Sequence, residues 1–162
     1  MKHALLFFVP LCLTAQTNYF TAVYEATLAG VTGATSLQQP SAPEASARLI
    51  GMQMYASVNT TFILEQGQKA TSTASSAIAT VPIGQTIRAT LRFFIGSNSP
   101  PATVPINKYV LNAGETKTVM FTEGEATGSA IGSIARSPDA NYTVRTSAIT
   151  GDVKVTWFWS EQ

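Results

Sequence analysis

The single imidazole and the single thiol of this 162-residue chain, His3 and Cys12, both fall in its first 15 residues. Met1-Lys2-His3 is followed by an almost wholly apolar run from Ala4 to Leu13, and then by Thr14-Ala15-Gln16-Thr17. A positive start, an apolar stretch of about ten residues and a small-residue exit make a secretory signal peptide. Cleavage is expected after Ala15, which makes the mature protein secreted or displayed at the cell surface. The apolar run is too short to cross a bilayer as a stable helix, so no membrane attachment is expected once it is removed. The competing reading keeps this segment as a strand of the fold. A lipid anchor on Cys12 is disfavoured, because Leu11 stands where a lipidation site takes a small residue.

Removal of the leader decides most of the chemistry. A chain with neither imidazole nor thiol lacks the usual general base, the usual nucleophile and the usual ligands of zinc and copper. It can form no disulfide, so its stability must come from a packed core. No cofactor is expected, and the phosphate-cradling glycine motif that opens a helix is absent from the sequence. Carboxylates remain. Asp139 and Asp152 are the only aspartates, and both fall at expected turns, where Asp bonds its own backbone. Glu123 and Glu125 stand two apart beside glycines. They could form a glycosidase pair or hold Ca²⁺, but a solvated loop explains them better, since a Ca²⁺ loop needs more acidic ligands than two. The expectation is a protein that is not an enzyme and holds no metal.

Aromatic residues offer the other route to function. Trp157 and Trp159 lie one strand period apart and share a face. Exposed, they would be a stacking platform for a surface polysaccharide. Buried, they are core, and their company of Val144, Val153 and Val155 favours the core. Phe158 falls on the polar side opposite Arg145, where a cation–π contact or a subunit interface can be built. These four residues, Trp157, Trp159, Phe158 and Arg145, are the candidate binding positions.

The stretch from Asn141 to Ser160 carries them. It reads as two alternating strands joined at Thr150-Gly151-Asp152, with Gly151-Asp152 as a two-residue type II′ loop. That register sets Ala148 against Val155, Thr146 against Trp157 and Val144 against Trp159, and a one-residue slip would invert every side chain. Tyr142, Val144, Thr146, Ala148, Val153, Val155, Trp157 and Trp159 then share the apolar face.

Earlier segments repeat the pattern. Asn18 to Leu28 alternates, with Phe20, Ala22, Tyr24, Ala26 and Leu28 on one side. A short strand at Ser36 to Gln39 is stopped by Pro40. Ala47 to Val58 places Ile50, Met52, Met54, Ala56 and Val58 together, Asn59 turns the chain, and Thr60 to Glu65 returns it. Ala70 to Ala79, made of Ala, Ser and Thr, fits an edge strand or loop. Thr86 to Ile95 points Ile87, Ala89, Leu91, Phe93 and Ile95 inward. Tyr109 to Leu111 and Thr116 to Phe121 form a hairpin about Asn112-Ala113-Gly114-Glu115. Two glycosylation sequons, at Asn59 and Asn141, carry little weight at their chance frequency.

Roughly nine or ten short strands without an amphipathic helix describe an all-β chain. One domain over residues 18–162 is expected to form a two-sheet antiparallel β-sandwich, jelly-roll or immunoglobulin-like, with a closed barrel as the alternative. Charged residues make up 12% and the net charge is +1, so nucleic acid is not an expected partner.

Some of these segments also resemble a group of small, secreted, β-rich proteins of environmental bacteria for which no activity is known. The similarity runs from about Val31 to the end. It rests on Leu37-Gln38-Gln39-Pro40, the Ala/Thr-rich Ala70 to Thr80 and Asn112-Ala113-Gly114-Glu115-Thr116. It rests most on Asn141-Tyr142-Thr143-Val144-Arg145, Ile149-Thr150-Gly151 and the Trp-bearing last strand. The resemblance implies a β fold and no particular activity. With the low charge, the hydroxyl-rich polar faces and the apolar Phe94, Phe158 and Ile149 set among them, the reading is surface adhesion or structural assembly, with the protein itself as partner. A carbohydrate-binding module is the alternative.

Overall fold

The computed structural model describes residues 17–38, 47–66, 81–84, 89, 91–96, 104–121 and 141–161. These form ten strands: β1 (Asn18–Ala29), β2 (Ala34–Gln38), β3 (Ala47–Ala56), β4 (Thr60–Gln66), β5 (Val81–Pro82), β6 (Arg92–Gly96), β7 (Val104–Leu111), β8 (Thr116–Met120), β9 (Asn141–Thr146) and β10 (Thr150–Glu161). Among the described residues there is no helix. One sheet runs β5-β1-β10-β3-β8 and the other β6-β2-β9-β4-β7.

The pairings nest. β1 pairs with β10, β2 with β9, β3 with β8 and β4 with β7, all antiparallel. The chain therefore behaves as one long hairpin, folded at its middle and wound up, with β10 then joining β3 and β9 joining β4. That is the jelly-roll solution of the β-sandwich.

Winding has a consequence for every short connection. The turns at 30–33, 57–59, 112–115 and 147–149 each carry the chain from one sheet to the other, not between neighbours in a sheet. They meet at one end of the sandwich and bond to each other. Gly30 donates its N–H to Ile149 (2.8 Å), Gly114 to Ala56 (2.8 Å), and Ser57 to Asp152 (2.8 Å). Asn59 Oδ1 accepts from Ala113 (2.8 Å), and Ser57 Oγ accepts from Asp152 (2.7 Å).

Two expected hairpins are thereby overturned. β7 and β8 lie in different sheets, and so do β9 and β10. Gly151 is no hairpin loop: it is the second residue of β10, pairs with Leu28, and carries a φ of 87°. A Cβ there would come within 2.8 Å of Val58 Cγ1, so glycine is required twice, for the left-handed backbone and for the close approach. The facing of side chains survives even though the pairing does not. Tyr142, Val144 and Thr146 are buried from one sheet, and Val153, Val155, Trp157 and Trp159 from the other. They look at each other across the core rather than along a shared ladder.

The interior holds Phe20, Phe62, Phe93, Tyr142, Met52, Met54, Trp157 and Trp159, each at most 2% exposed. In β3 a bulge opposite Phe158 and Trp159 shifts the alternation. It puts Leu49 in the core where the sequence pattern expects Ile50, because two residues of one strand there answer to one of the other. Of the strand expected at Thr86 to Ile95, the described residues are Ala89, Leu91 and the first four of β6, with Leu91 and Phe93 buried and Ala89 packed partly against the core. Ala70 to Ala79, Glu123, Glu125 and Asp139 lie outside the described residues.

Candidate functional site

Strand register sorts the residues that could meet a partner. On β1, Phe20, Ala22 and Tyr24 enter the core, so Tyr19, Thr21, Val23, Glu25 and Thr27 face outward. β10 adds Asp152, Lys154, Thr156, Phe158 and Ser160 to that outer face, β3 adds Gln53 and Tyr55, and β8 adds Thr116, Thr118 and Met120.

One row of this face carries two large apolar side chains, Phe158 and Met120. Thr21, Phe158, Gly51 and Met120 are register neighbours. Met120 sulfur lies 2.8 Å from where a Gly51 Cβ would stand, so the glycine lets the thioether settle over β3 beside Phe158. Met120 is 52% exposed, Tyr19 50% and Val23 38%. Thr21, Thr118 and Thr156 set hydroxyls between them. Exposed aromatic, aliphatic and thioether surface in a hydroxyl setting is the composition of protein contact surfaces.

Further toward the bonded end, the same face dips into a depression of about 320 Å³ lined by Glu25, Thr27, Tyr55, Asp152 and Lys154. Lys154 pairs with Glu25, and Thr27 donates a hydrogen bond to Asp152 Oδ1 at 2.6 Å. Acceptors, a hydroxyl donor, an ammonium and one ring converge there, a set able to hold a polyhydroxylated ligand. Among the described residues no three His, Cys, Asp or Glu side chains come together as a metal site.

The four candidates from the sequence are scattered. Trp157 and Trp159 are 0% exposed and cannot form a stacking platform. Trp157 donates its indole N–H to Thr35 Oγ1 (3.3 Å) and Trp159 to Glu161 Oε1 (2.8 Å), while the Trp159 ring stacks on Phe20 at 5.8 Å. Phe158 alone of the four reaches the outer face just described. Arg145 does not meet it, because β9 belongs to the other sheet. Its guanidinium instead binds Glu65 on neighbouring β4, with Nη2 to Oε1 at 2.6 Å. Phe94 is half-buried and is the register neighbour of Ser36 on that second sheet, and Ile149 is exposed at a turn.

Glu65 and Glu161 were not singled out by the sequence, yet they are 2% and 3% exposed. Glu161 Oε1 also accepts the Leu91 N–H at 3.1 Å. A signal for it existed: continuing the inward alternation of Val153, Val155, Trp157 and Trp159 by two residues points Glu161 inward. For Glu65 the strand pattern marks only a polar side.

No protein-family model, no curated protein and no solved structure matches the chain. The class defined by fold and surface is a jelly-roll β-sandwich with one open, partly apolar outer face.

Proposed function

We propose that the protein is a non-enzymatic, exported structural β-sandwich that assembles with copies of itself through the open outer face of the β5-β1-β10-β3-β8 sheet. The observation that carries this reading is the Tyr19, Val23, Phe158 and Met120 surface, displayed between threonines. A net charge of +1 opposes contact between copies only weakly. Light scattering of the mature chain over a range of concentrations is the test. Oligomers should form, and Val23→Lys with Met120→Lys should dissolve them without loss of folding. A strictly monomeric species at the highest concentration would overturn the reading.

A second reading, carbohydrate binding, now rests on Tyr55 and the depression beside it rather than on the tryptophans. Retention on a polysaccharide matrix, abolished by Tyr55→Ala, would favour it over assembly.

A further inference from the structure

Beyond Met1 the chain carries three methionines, and the fold treats them oppositely. Met52 and Met54 are 0% exposed in the interior, whereas Met120, the last residue of β8, is 52% exposed on the outer face. We propose that Met120 is a reversible oxidation site for hydroperoxides, and that its sulfoxide releases the contact between copies. Release rests on the assembly reading above, while the oxidation site stands without it.

Burial and position carry the inference. A peroxide must reach the sulfur to oxidise it, so Met52 and Met54 are shielded by the core and Met120 is the one exposed thioether among the described residues. The Met120 sulfur fills the space that a side chain at position 51 would take, 2.8 Å from an ideal Cβ on Gly51. Gly51 is also the register neighbour of Phe158, which places the sulfur within the surface offered to a second copy. In the reaction a sulfur lone pair attacks one oxygen of the hydroperoxide. The S–O bond forms, the O–O bond breaks, and the hydrogen of the transferred oxygen passes to the departing alkoxide. Sulfur loses two electrons and the peroxide leaves as an alcohol, or as water when it is hydrogen peroxide. A flexible apolar group thereby becomes a polar one. Contact between copies would then take the new oxygen out of water, which is unfavourable unless a donor answers it. The opposition is reciprocal: assembly covers the sulfur and so protects it.

Hydrogen peroxide in large excess over the mature chain is the probe, with peptide mass mapping to locate added oxygen and light scattering to follow assembly. In dilute protein Met120 should gain one oxygen at least about tenfold faster than Met52 or Met54. Raising the protein concentration into the assembled range should slow that reaction. The oxidised chain, its fold checked by circular dichroism, should assemble about tenfold more weakly. Methionine sulfoxide reductases with dithiothreitol should restore the original affinity. Met120→Leu, whatever its own affinity, should assemble identically before and after peroxide. Equal reactivity of the three methionines, unchanged affinity of the oxidised chain, or a peroxide effect that persists in Met120→Leu would each overturn the proposal. Scattering before any peroxide is added separates the two ideas: a chain already monomeric there overturns the assembly reading and the release step together, and the oxidation site is then decided by the mapping alone.

Discussion

Two carboxylate–cation pairs sit on the opposite outer faces of the sandwich, and they are unequal. Glu25 and Lys154 join β1 to β10 with side chains 61% and 43% exposed. Glu65 and Arg145 join β4 to β9 with side chains 2% and 27% exposed. The second pair is one part of a sealed polar row: Ser36 and Thr143, both 0% exposed, share a hydrogen bond of 2.7 Å beside it. Strand alternation writes both faces as polar. Burial separates them, since a charge taken out of water is costly to leave unpaired while one still in water is not. One outer face therefore works as structure, and the other stays open for contact.

The largest expected effect tests the sealed face. Glu65→Ala should destabilise the fold by about 2–3 kcal/mol, below the roughly 3–5 kcal/mol of a fully buried pair because the orphaned Arg145 still reaches water. Chemical denaturation measures it, and a loss under about 0.5 kcal/mol would erase the contrast between the faces. A smaller effect, about 1 kcal/mol, is expected for Ser36→Ala, which removes the buried hydroxyl that bonds Thr143. The interior between the faces adds a pH limit. Burial raises the phenol pKa of Tyr24 and Tyr142 above 10.0. Above pH 10 the unfolded chain releases protons that the folded chain retains, so stability falls as pH rises from there. Phenolate absorbance of these residues should appear together with loss of the fold, and their titration in an intact sandwich would contradict their burial.

The same contrast shows what a sequence can tell. Alternation in Tyr142–Thr146 and Val153–Trp159 identified the sides that enter the core, and the two-sheet antiparallel class followed from many such segments. It could not identify partners. Tyr142 and Trp159 face the core equally well in a local hairpin or across a wound sandwich, and the nearest strand in sequence is the default neighbour. The wound fold pairs Asn18 with Glu161 and Leu28 with Gly151, contacts that no local spacing announces. The candidate surface suffered for the same reason. Phe158 was legible as an outward residue, but its companions Tyr19, Val23 and Met120 come from strands far away in sequence.

The smallest effect sharpens the comparison most. Lys154→Met keeps an unbranched chain over the sheet and removes only the ammonium that meets Glu25. An exposed pair of this kind contributes under about 0.5 kcal/mol, and less when salt screens it. Stability of Lys154→Met should therefore match that of the parent in concentrated salt and trail it only slightly at low salt. Glu65→Ala should lose nearly the same amount in both, because burial shields its pair from ions. If Lys154→Met instead lost as much as Glu65→Ala, irrespective of salt, the open face would be held as tightly as the sealed one. Its surface would then belong to the fold and not to a partner.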